Sequence, residues 1–173
     1  MASGEVEIRE ADPDDARAVA RVQVGSWRWA YRGHVPEETL SALDVVERES
    51  RWRDAIPDGD QIVLVAVDPR GAVVGFAHAA GSDDADAASG TAQLYAIYLG
   101  EEAAGKGIGR ALLARVSDEM RSAGFARTTL WVLESNEHAR RFYERAGWSW
   151  DGTRSAHQVQ CANLPIVRYA VDL

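Results

Sequence analysis

The chain has 173 residues, 46% of them hydrophobic, which is enough for one domain with a sizeable core. No apolar run approaches the roughly 20 residues that a membrane span needs, and the formal net charge of −8 disfavours a nucleic-acid-binding face. We therefore expect a single domain over residues 1–173, with neither a membrane nor a nucleic acid as its partner.

The N-terminus lacks the charged and apolar regions of a signal peptide. Cys161 is the only cysteine, so no disulfide can form within the chain. Both features fit a reducing compartment, and we expect a cytoplasmic protein. The sequence leaves the oligomeric state open, and a homodimer is one possibility.

The first half of the chain alternates between strand and helix patterns. Asp12 followed by Pro13 is typical of a helix start, and this helix should reach Trp29 or Tyr31. The other elements predicted in this half are a strand at 6–9, helices from Pro36 and over 46–55, and a hairpin of strands 60–67 and 73–79.

The second half begins with residues 81–90, which are small and acidic and predict a flexible loop because no large apolar side chain anchors them. The elements predicted after it are strand 91–99, helix 107–123, strand 127–133, helix 136–146 and closing strands near 148–154 and 164–172. Strands joined by crossover helices predict an α/β fold, with a mixed sheet and helices on both faces.

The most informative segment is residues 94–113, an apolar strand followed by glycines at 105, 107 and 109 and then by an amphipathic helix. A glycine loop at a helix N-terminus exposes backbone N–H groups to the positive end of the helix dipole, which suits phosphate. Lys106 and Arg110 add charge at its rim. A plain turn would not require three alternating glycines, so the segment predicts a phosphorylated cofactor.

Two known glycine loops fit this segment poorly. The dinucleotide pattern G-x-G-x-x-G fails because Arg110 stands where the third glycine is needed. The Walker pattern G-x-x-x-x-G-K-S/T fits Gly100, Gly105 and Lys106, but Gly107 stands where the Mg²⁺-binding hydroxyl should be. A P-loop nucleotide-binding protein therefore stays a remote alternative.

Residues 104–109 resemble the pyrophosphate loop of the GNAT superfamily of N-acetyltransferases, Q/R-x-x-G-x-G/A after a strand. Ala104 departs from the usual Gln or Arg, which removes one side-chain contact. Residues 26–33 are similar to the first-helix region near the phosphinothricin acetyltransferase type. A further match is to the GNAT pattern N-x-x-A-x-x-F/L-Y-x-x-x-G-F/W after a strand, through Asn136, Ala139, Phe142, Tyr143, Gly147 and Trp148.

The resemblance implies a GNAT-type sheet, mostly antiparallel and splayed between two central strands, with acetyl-CoA as cosubstrate. Its pantetheine arm would enter the splay and bond the backbone at Ile97, Tyr98 and Leu99, with Asn136 on the pantetheine or phosphate side. Glycine at 107 and 109 would let the pyrophosphate approach without a Cβ in the way. The phosphate-binding residues would be Gly105, Lys106, Gly107, Ile108, Gly109 and Arg110.

The reaction implied is direct attack of a primary amine on the thioester. Tyr143 would protonate the leaving thiolate, because a neutral phenol has a pKa of about 10 and a free thiol one of about 8.5. Glu134, at the end of a strand, is the first candidate for the base and His78 the second. No metal-ligand spacing is recognisable, so no metal is expected.

Each of these residues has a structural alternative. Asn136 could cap its helix and Tyr143 could be a core aromatic, although Ser135 offers a competing cap that would free Asn136. Trp27 and Tyr31 could line a pocket for a small-molecule or peptide amine, or simply belong to the core. A GNAT fold that binds acetyl-CoA without catalysis is the second hypothesis of function.

Overall fold

The computed structural model describes residues 5–159 and 162–173, and these form one seven-stranded sheet. The strands are β1 (Glu7–Glu10), β2 (Gln61–Val67), β3 (Val73–Gly81), β4 (Thr91–Leu99), β5 (Arg127–Leu133), β6 (Ser149–Val159) and β7 (Ala162–Asp172). Their order across the sheet is β1-β2-β3-β4-β5-β7-β6, and all neighbours run antiparallel except β4 and β5. The predicted α/β fold with a mixed, mostly antiparallel sheet is confirmed.

The α-helices of the described residues are α1 (Ala16–Ala30), α2 (Glu37–Ser41), α3 (Val45–Ala55), α4 (Ile108–Ser122) and α5 (Glu137–Arg145). A 3-10 turn at Pro13–Asp15 precedes α1. There the Asp12 carboxylate accepts from the Asp14 N–H at 2.9 Å, and Asp15 accepts from the Asp12 N–H at 2.8 Å. The predicted helix start at Asp12 is thus confirmed. None of the helices in the described residues is both long and apolar enough to cross a membrane.

The helices cover both faces of the sheet, as expected. On one face α1 and α3 pack against β2, β3 and β4 through a cluster that includes Val19, Trp52 and Phe76. On the other face α4 packs against the sheet through Leu112, Val116 and other residues, and α5 adds Phe142 and Tyr143. The sheet is therefore buried on both faces where β4 meets its neighbours.

The two central strands start together and then separate. The parallel register runs from Thr91 opposite Arg127 to Leu94 opposite Leu130 and ends there. A β-bulge lies at this point, because His78 pairs with Ala96 and Ala79 with Leu94, which leaves Tyr95 unpaired on β4. A bulge bends its strand. Beyond Tyr95, β4 follows β3 and β5 follows β7, so a gap opens between them.

The closing hairpin is longer than predicted. The pairing of β6 with β7 continues from Ser155 opposite Ile166 to Val159 opposite Ala162, beyond the last pair that β5 makes with β7. Cys161, on which the expectation of no internal disulfide rests, lies outside the described residues.

The loop over residues 81–90 is tied down, contrary to the expectation of a flexible segment. Arg168 on β7, which is 8% exposed, bonds Asp84 at 3.1 Å and Asp86 at 2.6 and 2.7 Å. Trp131 donates its indole N–H to Asp84 at 3.0 Å. The loop lacks a large apolar anchor, but charged hydrogen bonds to residues far along the chain hold it.

Candidate active site

The loop between β4 and α4 exposes a run of backbone N–H groups. Gly105 and Gly107 have φ angles of +75° and +81°, in the left-handed region that favours glycine. Gly107 is the N-cap of α4, and no side chain caps the helix there. The first N–H groups of a helix have no partner within it, so those of residues 108–110 face out of the helix end. This arrangement suits a phosphate group.

Gly109 has a different role from the one predicted. It is buried in the first turn of α4, where an added Cβ would lie 3.5 Å from Leu99 Cδ1 and 3.7 Å from the Phe142 ring. A Cβ at this position would therefore point toward these core side chains, at ordinary van der Waals distances. The prediction that this missing Cβ makes room for phosphate is wrong. Only at Gly105 and Gly107 in this loop would an added Cβ meet open space.

The side chains around this loop divide into exposed cations and buried apolar groups. Lys106 and Arg110 are exposed, and neither forms an ion pair with any residue that the structure describes. Ile108 is 8% exposed and belongs to the core, so only its backbone faces the loop. Two unpaired cations beside free N–H groups make this end of α4 attractive to an anion.

Along β4, only every second residue directs its backbone N–H and C=O groups toward the gap. The Gly100 N–H donates to Val74 O at 2.8 Å, across the edge shared with β3. Because every second residue of a strand directs its N–H and C=O to the same edge, Tyr98 also faces β3, where it lies opposite Phe76. The prediction that the Tyr98 backbone bonds pantetheine is wrong. Ile97 and Leu99 face the open edge.

Part of this open edge is already used. The Ser26 hydroxyl of α1 donates to the carbonyl oxygen of Leu99, a contact that the sequence did not indicate. The groups left for a ligand on this edge are the N–H and C=O of Ile97 and the N–H of Leu99. Ser26 is 2% exposed, so this bond also fixes α1 against the end of β4.

Asn136 caps α5, with its side-chain oxygen accepting from the Ala139 N–H at 3.1 Å. Ser135 does not compete for this role, because its hydroxyl contacts Nδ1 of His34 at 3.1 Å. The prediction that Ser135 frees Asn136 is therefore wrong. The amide nitrogen of Asn136 still has no hydrogen-bond partner in the described part of the chain.

Tyr143 lies on α5, with its ring 5.2 Å from that of Phe142 and 5.9 Å from that of Trp148, centroid to centroid. It packs against the core on the α4 side of the sheet. Burial, and then the nearby Tyr98, raise the pKa of the Tyr143 phenol well above its usual value. The phenol is therefore a neutral O–H group that can donate a proton.

Trp27, Tyr31 and Tyr98 approach the same gap from the α1 side. The Trp27 ring lies 4.6 Å from that of Tyr31 and 6.3 Å from that of Tyr98. Burial, and then Tyr98, raise the pKa of Tyr31, and Tyr143 raises it further from across the gap. Trp27 Nε1 is buried without a hydrogen-bond partner in the described chain. These three aromatics are half-buried and pack against the core on the α1 side of the gap.

The two candidates for the base do not suit that role. Glu134 follows β5 as predicted, but its carboxylate is already paired with Arg154 at 2.9 Å. His78 stacks on Tyr95, with ring centroids 5.2 Å apart, and its Nε2 lies 2.7 Å from Gln61 Oε1. Burial lowers the pKa of His78 to about 4. His78 is therefore a structural histidine.

A pocket of about 220 Å³ lies at the end of β5. Its walls are His34, Leu133, Glu134, Ser135, Leu164 and Pro165. His34 was not predicted as a site residue, because the residue that holds it, Ser135, is 101 positions away. The only local signal in the sequence was the position of His34, three residues after Tyr31 in the segment that follows α1.

Comparison with known proteins decides the family. The model of the acetyltransferase (GNAT) family matches residues 22–148, which is most of the chain. The chain belongs to this family. It is thus an acyltransferase, and the predicted resemblance to GNAT proteins is confirmed.

Two curated GNAT relatives illustrate the similarity. The uncharacterized N-acetyltransferase YuaI of Bacillus subtilis is 38% identical over 131 residues, 76% of this chain and 73% of that protein. The mycothiol acetyltransferase of Propionibacterium freudenreichii is 36% identical over 118 residues, 67% of this chain but only 36% of that protein.

Solved structures share the whole GNAT fold. The PaiA N-acetyltransferase of Thermoplasma acidophilum, in complex with coenzyme A, has a TM-score of 0.79 at 22% identity and covers 98% of this chain and 100% of its own. The phosphinothricin acetyltransferase of Sinorhizobium meliloti, in complex with acetyl-CoA, has a TM-score of 0.76 at 23% identity. The match covers 98% of this chain and 89% of that protein. At these identities the likeness concerns the fold.

Proposed function

We propose that this protein transfers the acetyl group of acetyl-CoA to a primary amine by direct attack on the thioester. The observation that carries the proposal is that three features of the structure lie in sequence along β4. The uncapped end of α4 leads to the open edge of β4, and Tyr143 lies beside the gap that this edge borders.

The end of α4 would hold the phosphates of the cosubstrate. The N–H groups of residues 105–110 supply hydrogen bonds, and each bond to a charged partner contributes roughly 1.5–3 kcal/mol. Lys106 and Arg110 add attraction from the rim. Ile97 and Leu99 would bond the extended arm as a neighbouring strand does.

Tyr143 would act as the acid. The nitrogen of the amine attacks the thioester carbonyl, the N–C bond forms and the C–S bond breaks, and the sulfur leaves with the phenol proton. Because the pKa of Tyr143 is raised, the phenol keeps its proton until the thiolate develops. The N–H of Ile97 faces the gap and can donate to the carbonyl oxygen as negative charge collects there.

Two other functions are weaker. A GNAT protein that binds acetyl-CoA without turnover would not need a protonated phenol at the gap. The hypothesis of a P-loop nucleotide-binding protein is wrong, because the chain belongs to the GNAT family. The absence of a metal, the cytoplasmic location and the homodimer stay predictions.

Thermal unfolding with ligands tests the cosubstrate. Acetyl-CoA at 100 times its Kd should add about 2.7 kcal/mol to the free energy of unfolding, which is roughly 5–10 °C in Tm for a chain of this size. Mg²⁺-ATP should add nothing. A shift with Mg²⁺-ATP and none with coenzyme A would overturn the proposal, and release of free thiol with a panel of amines would separate catalysis from binding.

A further inference from the structure

The pocket at the end of β5 is continuous with the apolar cluster beside the gap. Leu133 and Leu164 line the pocket and also belong to the cluster that contains Trp27 and Tyr31. The His34 N–H donates to Tyr31 O at 2.9 Å, which fixes the backbone of His34 next to the aromatic wall of the gap. The pocket and the α1 side of the gap therefore share one apolar cluster, through Trp27 and Tyr31.

The pocket contains one imidazole, that of His34, and it has no ionic partner in the described chain. Glu134 is paired with Arg154 at 2.9 Å, whereas His34 contacts only the neutral hydroxyl of Ser135 through Nδ1. This contact leaves Nε2 for another partner. Imidazole is the side chain best suited to take and release protons between about pH 5 and 8.

We propose that this pocket receives the acceptor amine and that His34 is the base, an inference that rests on the proposed function. The ammonium gives one proton to Nε2 of His34 and becomes the nucleophile. Its nitrogen attacks the thioester carbon, and the C–S bond breaks as Tyr143 protonates the sulfur. The second proton of the nitrogen then returns to the Tyr143 oxygen, and His34 releases its proton to water.

The lining indicates the class of acceptor. Leu133, Leu164 and Pro165 offer apolar contact, and the only carboxylate in the lining is Glu134, already neutralised by Arg154. The volume of about 220 Å³ corresponds to about seven waters at roughly 30 Å³ each. The pocket therefore fits a small primary amine with an apolar body, such as benzylamine, better than a polycation such as spermidine.

Other ionisable groups surround His34 and enter the design of the test. Besides Glu134 and Arg154, they are Tyr31 and Arg32 from the segment before it and His157 on β6, opposite Leu164. His157 is the only other imidazole among them, so its variant must be measured as well.

The test compares wild type with His34→Gln, which keeps a hydrogen-bonding group but cannot take a proton. With benzylamine, kcat/KM of wild type should fall as the pH drops through the imidazole range. His34→Gln should lack this limb and be slower by roughly 100-fold, while its calorimetric Kd for coenzyme A stays unchanged. His138→Gln, an exposed histidine of α5, is the matched control and should keep the wild-type profile.

A second variant guards against indirect effects. Added imidazole should restore turnover to His34→Ala and should not accelerate wild type. The inference is overturned if His34→Gln keeps the wild-type pH profile, if His157→Gln alone removes the limb, or if spermidine is preferred over benzylamine. If wild type binds no coenzyme A, the proposed function itself has failed.

Discussion

At the scale of single residues, the roles here depend on which of two available partners each group takes. Asn136 could bind a ligand or cap α5, and its side-chain oxygen caps the helix while its amide nitrogen has no partner in the described chain. An added Cβ at Gly109 would point toward Leu99 and Phe142. The two roles of Asn136 were visible in the sequence, but the choice between them depends on neighbours from other elements, and sequence periodicity does not report these neighbours.

Tyr143→Phe removes one hydroxyl and keeps the ring, so the packing of α5 should survive. We expect kcat to fall by roughly 100-fold, with KM for acetyl-CoA little changed, because the proton is needed only as the thiolate leaves. Steady-state kinetics with any accepted amine measure both constants.

The control is Tyr169→Phe, whose hydroxyl donates to Glu144 at 2.7 Å and accepts from Arg140 at 3.1 Å. It should lower stability and leave kcat unaffected. Wild-type kcat in Tyr143→Phe would make Tyr143 a core aromatic only, and a raised KM with normal kcat would make it a binding residue.

Gly107→Asp should weaken coenzyme A binding by about a hundredfold or more. Loss of two charged hydrogen bonds costs roughly 3 kcal/mol, and the carboxylate also repels phosphate. Gly107→Asn places a similar side chain without charge at the same φ of +81°, which asparagine and aspartate tolerate best. Asparagine should therefore weaken binding less than aspartate does.

Gly71→Asp serves as the control for backbone strain, because Gly71 has a φ of +82° in the turn between β2 and β3. It should cost similar stability and leave the Kd unchanged. Calorimetric titration and circular dichroism measure the two effects. Equal affinities for Gly107→Asp and wild type would mean that the glycines only shape a turn.

At the scale of elements, the order and type of helices and strands followed from hydrophobic periodicity, glycine stops and the cap at Asp12. What could not be predicted are contacts between distant side chains. Arg168 reaches Asp84 across 84 positions, and His34 reaches Ser135 across 101. Periodicity assigns a residue to a face of its own element, and it does not say which polar group of another element lies opposite.

Arg168→Met tests what holds the loop over residues 81–90. It removes the cation that binds Asp84, Asp86 and Asp151, so three carboxylates remain without it. Breaking such a buried pair costs roughly 3–5 kcal/mol, and urea unfolding should show a loss near the lower value because Asp86 is exposed. Arg127→Met, which breaks an exposed pair with Asp172, is the control and should cost about 1 kcal/mol or less.

The cost of Arg168→Met should also depend on pH. The bonds from Arg168 lower the pKa of Asp86, and in Asp151 the bonds from Thr153 and Arg168 outweigh partial burial and lower its pKa as well. Carboxylates with a lowered pKa stabilise the fold above their unfolded pKa of about 4, and this stabilisation is lost as pH falls through the folded pKa. The difference between variant and wild type should therefore shrink below about pH 4. A difference that is constant from pH 7 to 3 would contradict this.

At the scale of the whole molecule, the two helical layers leave the sheet divided beyond Leu94 and Leu130. The family resemblance predicted this division, whereas periodicity alone would have given a continuous buried sheet. The bulge at Tyr95 has no distinct sequence signal, since it follows from how β3 and β4 pair. The net charge of −8 is a property of the surface and did not help to locate the site.

The division between β4 and β5 gives the protein an unpaired strand edge in its interior, and the space beside this edge limits the shape of any chain that enters it. A chain inserted between two strands must be extended, in a slot of about 9–10 Å between the flanking backbones. Side chains of an inserted peptide would stand above and below the sheet, where Phe142 and Tyr143 pack on one face and Tyr31 and Tyr98 on the other. We therefore expect the gap to admit a slender chain with amides and no bulky substituents, and we expect the same geometry to protect the unpaired edge from joining another polypeptide.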